Sequence, residues 1–170
     1  MRLKYIFILL VFLTIAKTSS AQASKGYCKI EMHVYWQEAL KSSSSAASTN
    51  DGPKDVIVLS NDDILGYDTS SIPACCILKN RLDVFEKLRQ LKIDIPLQGL
   101  PFVIKVDGNP VLQGNFWTAI SSFSPPEGVM IENFQNKKNE IRLLLFSYPK
   151  VDQRRSAPLL ECLHNSNRLK

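Results

Sequence analysis

The sequence predicts an α+β protein, in which helices pack on one face of an antiparallel β-sheet of about six to eight strands arranged in hairpins. Three patterns support this fold class. Apolar and polar residues alternate over residues 28–37, a second alternation with a central turn covers residues 101–117, and apolar residues recur at helical spacing over about residues 80–92. A β-sandwich or a barrel capped by helices is the alternative architecture.

The first 21 residues have the pattern of a cleavable signal peptide. Arg2 and Lys4 precede an apolar stretch, residues 5–16, that is too short to span a bilayer, and small residues follow it. We expect cleavage after Ala21, with Ala23 as the alternative site. The mature protein is therefore expected to be soluble and either secreted or periplasmic.

The rest of the chain, residues 22–170, is expected to form a single domain. The first 21 residues hold three basic side chains and no acidic one, so the net charge of +5 becomes 18 basic against 16 acidic side chains, or +2. Short basic clusters such as Arg154-Arg155 are expected on the solvated surface. This charge gives no sign of nucleic-acid binding. No later apolar run approaches about 18 residues, so no membrane span is expected in the mature chain.

The first strand of the domain is predicted over residues 28–37, with one face buried. A flexible loop is predicted over residues 41–53, because this stretch is rich in Ser, Ala and Thr and ends in Gly-Pro. Three further strands are predicted at residues 55–60, 64–67 and 74–79. Residues 68–71 predict a turn between the second and the third of these strands.

A helix is predicted from about residue 80 to residue 92. Asn80 is its expected N-cap, and Asp83 lies in the first turn, where a negative charge suits the helix dipole. A short C-terminal helix is predicted to follow, with Ser156 as N-cap and Pro158 in the first turn. The apolar stripe of the first helix consists of Leu82, Val84, Phe85, Leu88 and Leu91.

Residues 101–117 predict a β-hairpin at the centre of the fold. Phe102, Ile104 and Val106 share the buried face of its first strand, and residues 107–110 have turn chemistry. Two adjacent prolines then exclude both strand and helix from the next segment. Two more antiparallel strands are predicted at residues 129–134 and 140–148.

The four cysteines Cys28, Cys75, Cys76 and Cys162 are candidates for disulfides, which export permits. Cys75 and Cys76 are adjacent in a predicted strand, so their side chains point to opposite faces. We expect one of these two to bridge Cys28 or Cys162, with the others free or in a second bridge. No Cys-x-x-Cys motif or Cys/His pair at ligand spacing occurs, so the sequence predicts no metal site and no cofactor.

Histidine chemistry has two candidate positions. Glu31, His33 and Tyr35 lie in a row on the polar side of the first strand, where they could bind a metal or transfer protons. An exposed strand face has the same pattern, and we favour that interpretation. His164 lies near a helix C-terminus, where the dipole suits it.

Carboxylates cluster near Asn61. Asp62, Asp63 and Asp68 match no calcium-binding loop, and such residues commonly form turns. They define an alternative function, that of a small secreted hydrolase that uses carboxylates.

Trp117 and Phe123, together with Pro125 and Pro126, are the candidate binding residues. Aromatic side chains beside a proline-stiffened loop can anchor a partner at low entropic cost. Phe116 and Trp117 are neighbours in a strand, so only one of them can face the core.

These observations favour a non-catalytic exported protein that binds a macromolecular or cell-envelope partner through the aromatic hairpin end. The sequence contains no nucleophile motif and no metal-binding motif, which fits a non-catalytic function. The carboxylate-dependent hydrolase is the alternative. A structural module that self-associates through an exposed edge strand is a third possibility.

Overall fold

The computed structural model describes residues 28–36, 54–72, 75–132, 137–147 and 151–170. Within these ranges the protein is mostly β-sheet, with eight strands and two short helices. The predicted signal peptide and the Ser-rich loop at 41–53 lie outside the described residues. The strands are β1 (Ile30–Trp36), β2 (Lys54–Leu59), β3 (Ile64–Ile72), β4 (Cys75–Asn80), β5 (Leu100–Val106), β6 (Asn109–Trp117), β7 (Gly128–Glu132) and β8 (Glu140–Phe146). The helices are α1 (Val84–Gln90) and α2 (Ala157–Asn165).

All eight strands belong to one mixed sheet in the order β2-β1-β5-β6-β7-β8-β4-β3. The expectation of a strictly antiparallel sheet is wrong at one pair, because β6 and β7 run parallel, with Gly114 opposite Val129 and Trp117 opposite Glu132. Parallel neighbours need a long connection. Residues 118–127 provide one by returning the chain from the end of β6 to its middle. The prolines predict irregular structure there, but nothing in them indicates the direction of return.

The central hairpin is confirmed as strands β5 and β6. Their ladder runs from Leu100 opposite Phe116 to Val106 opposite Asn109. The turn is tight because Asp107 and Gly108 both adopt positive φ, 51° and 81°, which is the conformation of a two-residue hairpin loop. The outward and inward alternation of β5 follows the prediction, since Phe102, Ile104 and Val106 are all buried.

The two edge strands of the sheet, β2 and β3, are consecutive in the chain, and the short connection between them requires the sheet to curl strongly. A flat eight-stranded sheet would hold its edges roughly 34 Å apart, at about 4.8 Å per neighbouring pair. The connection from Leu59 of β2 to Ile64 of β3 spans at most about 18 Å. Side chains from both halves of the sheet accordingly meet α2 in the core. Those around one small internal space are Ile30, Met32, Ile64, Tyr67, Leu78, Ile104, Leu159 and Leu163.

The predicted turn at residues 68–71 is wrong, because β3 continues through it to Ile72. The ladder with β4 is irregular between Asp68 and Ile72, which marks a bulge. The carboxylate of Asp68 accepts hydrogen bonds from the backbone N–H and the hydroxyl of Ser70, at 2.8 and 2.7 Å. The local turn chemistry is therefore present, but it bends the strand without ending it.

Helix α1 is shorter than predicted. Asp83, rather than Asn80, is its N-cap, and the Asp83 carboxylate accepts from the N–H groups of Phe85 and Glu86. Asn80 is instead the buried last residue of β4. Val84, Phe85 and Leu88 are the buried residues of the helix.

Helix α2 begins after Ser156 as predicted, with a proline in its first turn. The Ser156 hydroxyl, however, makes no capping hydrogen bond. Its backbone carbonyl still accepts from Leu160 N–H at 3.1 Å. The position of the N-cap is therefore confirmed, whereas its side-chain bond is not formed.

The outer edge of β3 is covered by the end of the chain. Tyr67 donates its backbone N–H to Arg168 at 2.7 Å and accepts from Lys170 at 2.8 Å. The Arg168 guanidinium also donates to the backbone carbonyl of Asn61 at 2.9 Å. The tail thus pairs with one edge strand and bonds the turn that leads into it.

The disulfide pairing differs from the expected one. Cys28 is bonded to Cys162 of α2, with the two Cα atoms 5.7 Å apart, and Cys75 and Cys76 are both free and buried. The adjacent pair does face two sides of the sheet, since Cys76 alone joins the main core cluster. We had expected one of these two cysteines to bridge Cys28 or Cys162. That expectation is wrong, because Cys28 and Cys162 are bonded to each other.

Candidate functional site

The polar row of β1 is not an exposed strand face. His33 is 7% exposed, because Asp55 of β2 and Lys105 of β5 flank it on the neighbouring strands. Asp55 Oδ1 lies 2.6 Å from His33 Nδ1, and Lys105 Nζ donates to Asp55 Oδ2 at 3.0 Å. We call Glu31, His33, Asp55 and Lys105 the His33 cluster.

The charged groups of the His33 cluster stabilise one another. Burial disfavours the ionised form of Asp55, but hydrogen bonds with His33 and Lys105 outweigh it, so the pKa of Asp55 is lowered. The same bond to Asp55 raises the pKa of Lys105. A hydrogen bond from Lys29 lowers the pKa of Glu31. Both carboxylates are therefore held in the charged form.

The other nitrogen of His33 has little chemical access. Nε2 is buried without a hydrogen-bond partner among the described residues, and Glu31 Oε2 lies 3.7 Å from it. No group of three or more His, Cys, Asp or Glu side chains in the described ranges is placed to hold a metal ion. The cluster joins strands β1, β2 and β5 through the bonds of Asp55 to His33 and Lys105. The Lys105 ammonium lies 5.7 Å from the centre of the Tyr35 ring.

A groove of about 840 Å³ lies beside this cluster on the outer face of the sheet, which is the face turned away from the main core. Lys105 connects the two features, because it belongs to the His33 cluster and also lines the groove, next to Tyr35. We call this feature the outer groove. Its other lining residues come mainly from β5, β6, the start of β7 and the segment before α2, and they are Pro101, Phe102, Val103, Pro110, Gln113, Gly114, Asn115, Glu127, Gly128, Val129, Val151 and Gln153.

One wall of the outer groove is fixed by an ion pair between a buried guanidinium and a half-buried carboxylate. The segment Gln153–Arg155 forms a 3₁₀ turn in which Arg154 is fully buried. The prediction that Arg154-Arg155 lies on the solvated surface is therefore wrong for Arg154. Asp152 binds its guanidinium, and this anchors Gln153 where its side-chain Oε1 accepts from Gln113 N–H at 2.9 Å.

Trp117, a predicted binding residue, is not available to a partner, because only 4% of it is exposed. Phe116 faces the main core and packs against Phe85 and Phe102, with ring centres 5.7 and 5.2 Å apart. Trp117 faces the other side of the sheet, where the backbone of Gly99 packs closely against the indole ring. A Cβ at Gly99 would come within 3.0 Å of that ring. Alternation thus separates the two aromatic side chains, yet both faces are covered at this end.

The other predicted binding residues lie nearer the surface. Phe123 is 56% exposed, Pro126 is exposed and Pro125 is half-buried. Two further large apolar side chains that sequence reasoning missed, Leu97 and Ile120, are exposed at 47% and 80%, on the two loops whose backbones Ser121 joins. We call Leu97, Ile120 and Phe123 the hairpin-end patch.

Ser121 organises the hairpin-end patch. Its hydroxyl donates to the backbone carbonyl of Leu97 at 2.5 Å and accepts from the backbone N–H of Phe123 at 3.1 Å. Its own N–H donates to the carbonyl of Thr118 at 3.0 Å. A single residue therefore holds together the two loops that carry the apolar side chains.

The carboxylates of the alternative hypothesis do not converge. Asp63 accepts from the N–H and hydroxyl of Ser60, at 2.8 and 2.6 Å, and so closes the turn between β2 and β3. Asp68 is bonded to Ser70 within the β3 bulge, and these bonds lower its pKa. Asp62 lines a separate, shallow cavity together with Arg81 and Arg168.

His164, the second histidine, is exposed in the last turn of α2, as its sequence position predicts. No helix in the described part of the chain is long and apolar enough to cross a membrane. Comparisons of the chain with protein-family models, with curated proteins and with solved structures give no match. Any functional assignment therefore depends on the geometry of the site itself.

Sequence reasoning missed the residues contributed by distant strands. Lys105 lies on the outward side of the predicted hairpin, and the period-two pattern gives that orientation. The pattern does not say that β1 lies beside β5, or that Asp55 lies on the other side of β1. Leu97 and Ile120 stand in loops, where no periodicity indicates burial or exposure.

Proposed function

We propose that this protein is an exported, non-catalytic binding protein that engages a macromolecular or cell-envelope partner through the hairpin-end patch. The observation that carries the proposal is the exposure of three large apolar side chains on two loops that share the Ser121 hydroxyl. Clustered apolar exposure of this kind marks interaction sites on proteins. The aromatic ring of Phe123 provides the type of anchor that dominates binding energy at interfaces.

The surroundings of the patch support an apolar contact. Residues 95–104 and 108–126 contain no charged side chain. A partner that covers these loops therefore displaces water from the surface without desolvating charges, and this desolvation is a major cost of association. Pro125 and Pro126 restrict the loop that follows Phe123, which lowers the entropy lost on binding.

Export of the protein is part of the proposal. It is supported by the N-terminal sequence pattern of residues 1–21. The disulfide between Cys28 and Cys162 is compatible with an oxidising compartment. Residues 22–170 would then act as a single secreted or periplasmic α+β domain without a cofactor.

The carboxylate-dependent hydrolase receives less support. A general acid of a glycosidase needs a raised pKa, whereas the pKa values of Glu31 and Asp55 are lowered. Among the described residues, the lining of the outer groove holds a single carboxylate, that of Glu127.

The proposal is tested by capture of the partner from the envelope and secreted fractions, with identification by mass spectrometry. The double variant Ile120→Ser/Phe123→Ser is expected to fold normally, because both side chains are exposed, and to lose the partner. The matched control is Leu65→Ser, since Leu65 is a 50% exposed apolar residue on β3. Equal capture by the wild type, the double variant and the control would refute the role of the hairpin-end patch in binding. Concentration-dependent oligomers without any captured partner would favour the self-associating module.

A further inference from the structure

We infer that the outer groove is a second binding site, which accepts an extended peptide segment with a basic residue near Glu127. The groove measures about 840 Å³, which is within the usual size range of ligand sites. This site is distinct from the hairpin-end patch, and the inference does not depend on the function proposed for that patch.

The floor of the groove carries two side-chain amides whose spacing matches that of an extended peptide. Gln113 and Asn115 are two residues apart on β6, so both face the groove about 7 Å apart. Each carries a side-chain amide, which is both donor and acceptor. A peptide lying along β6 advances by the same distance every two residues, so successive main-chain amides can pair with the two side chains.

The wall of the groove already accommodates an amide. The β6–β7 ladder begins at Gly114, so the N–H of Gln113 lies just outside it. The side-chain carbonyl of Gln153 takes this position and accepts from Gln113 N–H at 2.9 Å. An amide carbonyl therefore fits against the β6 backbone at this wall of the groove.

The apolar walls suit alternate side chains of a peptide. Tyr35 presents a half-buried ring at one side, and Val151, which is 70% exposed, lies at the other. Pro101 and Pro110 are rigid apolar groups that face the groove from β5 and β6. Such walls with amide groups between them match a mixed polar and apolar chain better than a highly charged ligand.

The charge of the groove indicates a neutral or basic occupant. The ammonium of Lys105 is neutralised by Asp55 at 3.0 Å. Glu127 is exposed at the start of β7 and forms no ion pair with the described residues. The remaining negative charge therefore favours a Lys or Arg side chain at the Glu127 end of the bound segment.

The inference is tested by selecting random nine-residue peptides on the immobilised full-length protein and measuring the enriched peptides by calorimetry. We expect an enriched set with a Lys or Arg near one end. The double variant Gln113→Ala/Asn115→Ala should weaken these peptides about tenfold, as expected for two lost hydrogen bonds. Glu127→Gln should weaken peptides that carry the basic residue and leave their neutral analogues unchanged. If the alanine double variant does not fold, the single variant Gln113→Ala, at an exposed position of β6, should still weaken the same peptides.

Two controls separate this site from the hairpin-end patch. Gln90→Ala changes an exposed polar residue on α1 and should leave the affinity unchanged. Phe123→Ser should also leave it unchanged, so loss of the partner by that variant bears only on the patch. The inference fails if no peptide is enriched over the bare support, or if the double variant binds like wild type. It also fails if chitohexaose or maltohexaose, and no peptide, shifts the backbone NMR signals of the groove.

Discussion

The fully buried guanidinium of Arg154 is bound by the carboxylate of Asp152 through two contacts of 2.8 Å, from Nε to Oδ1 and from Nη2 to Oδ2. A third group, Nη1, donates to the backbone carbonyl of Leu143 in β8 at 3.0 Å. The carbonyl of Arg154 itself accepts from the Tyr67 hydroxyl of β3 at 2.8 Å. One short turn therefore connects β8 and β3, and through Gln153 it also reaches β6.

Removal of the partner of Arg154 should strongly destabilise the fold. Asp152→Ala leaves a buried charge without its counter-ion, and such changes cost about 3–5 kcal/mol in the free energy of unfolding. Urea denaturation followed by circular dichroism measures this loss. Arg155→Ala is the control, because Arg155 is more exposed and lies 3.6 Å from the same carboxylate, and it should cost less than about 1 kcal/mol. Equal effects of the two substitutions would contradict a central role for the buried pair.

Acid should weaken the protein through the same carboxylate. Hydrogen bonds from Arg154 lower the pKa of Asp152 below its ordinary value of 3.8. The folded state therefore binds fewer protons than the unfolded state, and the stabilisation is complete above pH 3.8 and is lost as the pH falls through the lowered value. Unfolding free energies measured between pH 7 and pH 2 should fall steeply at the acid end. Asp152→Asn should remove part of that slope, and an unchanged slope would exclude Asp152 as a contributor.

A methyl group at Gly114 should disrupt the parallel pair. A Cβ at this position would meet the Val129 carbonyl oxygen and lie 2.6 Å from a ring carbon of Phe102. Neither the backbone of β7 nor a fully buried ring can move cheaply, so we expect Gly114→Ala to cost about 1–3 kcal/mol, as other overpacked cores do. Thermal unfolding measures the effect. Gly66→Ala is the matched control within a strand, since its nearest neighbour, the Arg168 carbonyl oxygen, is an ordinary 3.5 Å away.

The disulfide should contribute strongly to stability, because it closes a loop over a sequence separation of 134 residues. The chain-entropy argument gives about 4–5 kcal/mol for a loop of this length. Cys162→Ser should lower the urea midpoint accordingly, with Cys75→Ser as a control that leaves the bridge intact.

The pairing itself is checked by counting thiols. The unreduced, unfolded wild-type chain should titrate two thiols, and Cys162→Ser should titrate three. In the folded protein Cys75 should react slowly, because burial raises the pKa of its thiol. A chain that shows no free thiol when unfolded would instead favour the pairing expected from the sequence, in which one of Cys75 and Cys76 bridges Cys28 or Cys162 and the other two cysteines form a second bridge.

The sequence predicts those parts of the fold that depend on local alternation. The hairpin of β5 and β6 was predictable because apolar residues two apart and a turn with Asp107 and Gly108 specify it within a short segment. The parallel return of β7 was not, because strand direction is decided by packing across the sheet. Arg154 could not be distinguished from Arg155 for the same reason, since only the position of Asp152 relative to β8 and β3 separates a buried guanidinium from an exposed one.

The candidate site was predictable only at its local elements. Phe123 was identified from its proline-rich neighbourhood, and it is exposed. Trp117 was not distinguishable from it, because the glycine that covers its ring, Gly99, belongs to another loop. The outer groove draws its lining from four strands and the segment before α2, and such an assembly leaves no pattern in any one stretch of sequence.

The covering of the β3 edge by Arg168–Lys170 bears on how this polypeptide matures. Those residues and Cys162 are synthesised well after Cys28 and β3, to which they are bonded in the folded protein. A nascent chain that lacks them would expose an open edge and an unpaired thiol. Folding should therefore be completed only after residues 162–170 have been synthesised, which makes this stretch a late step in the formation of the sheet.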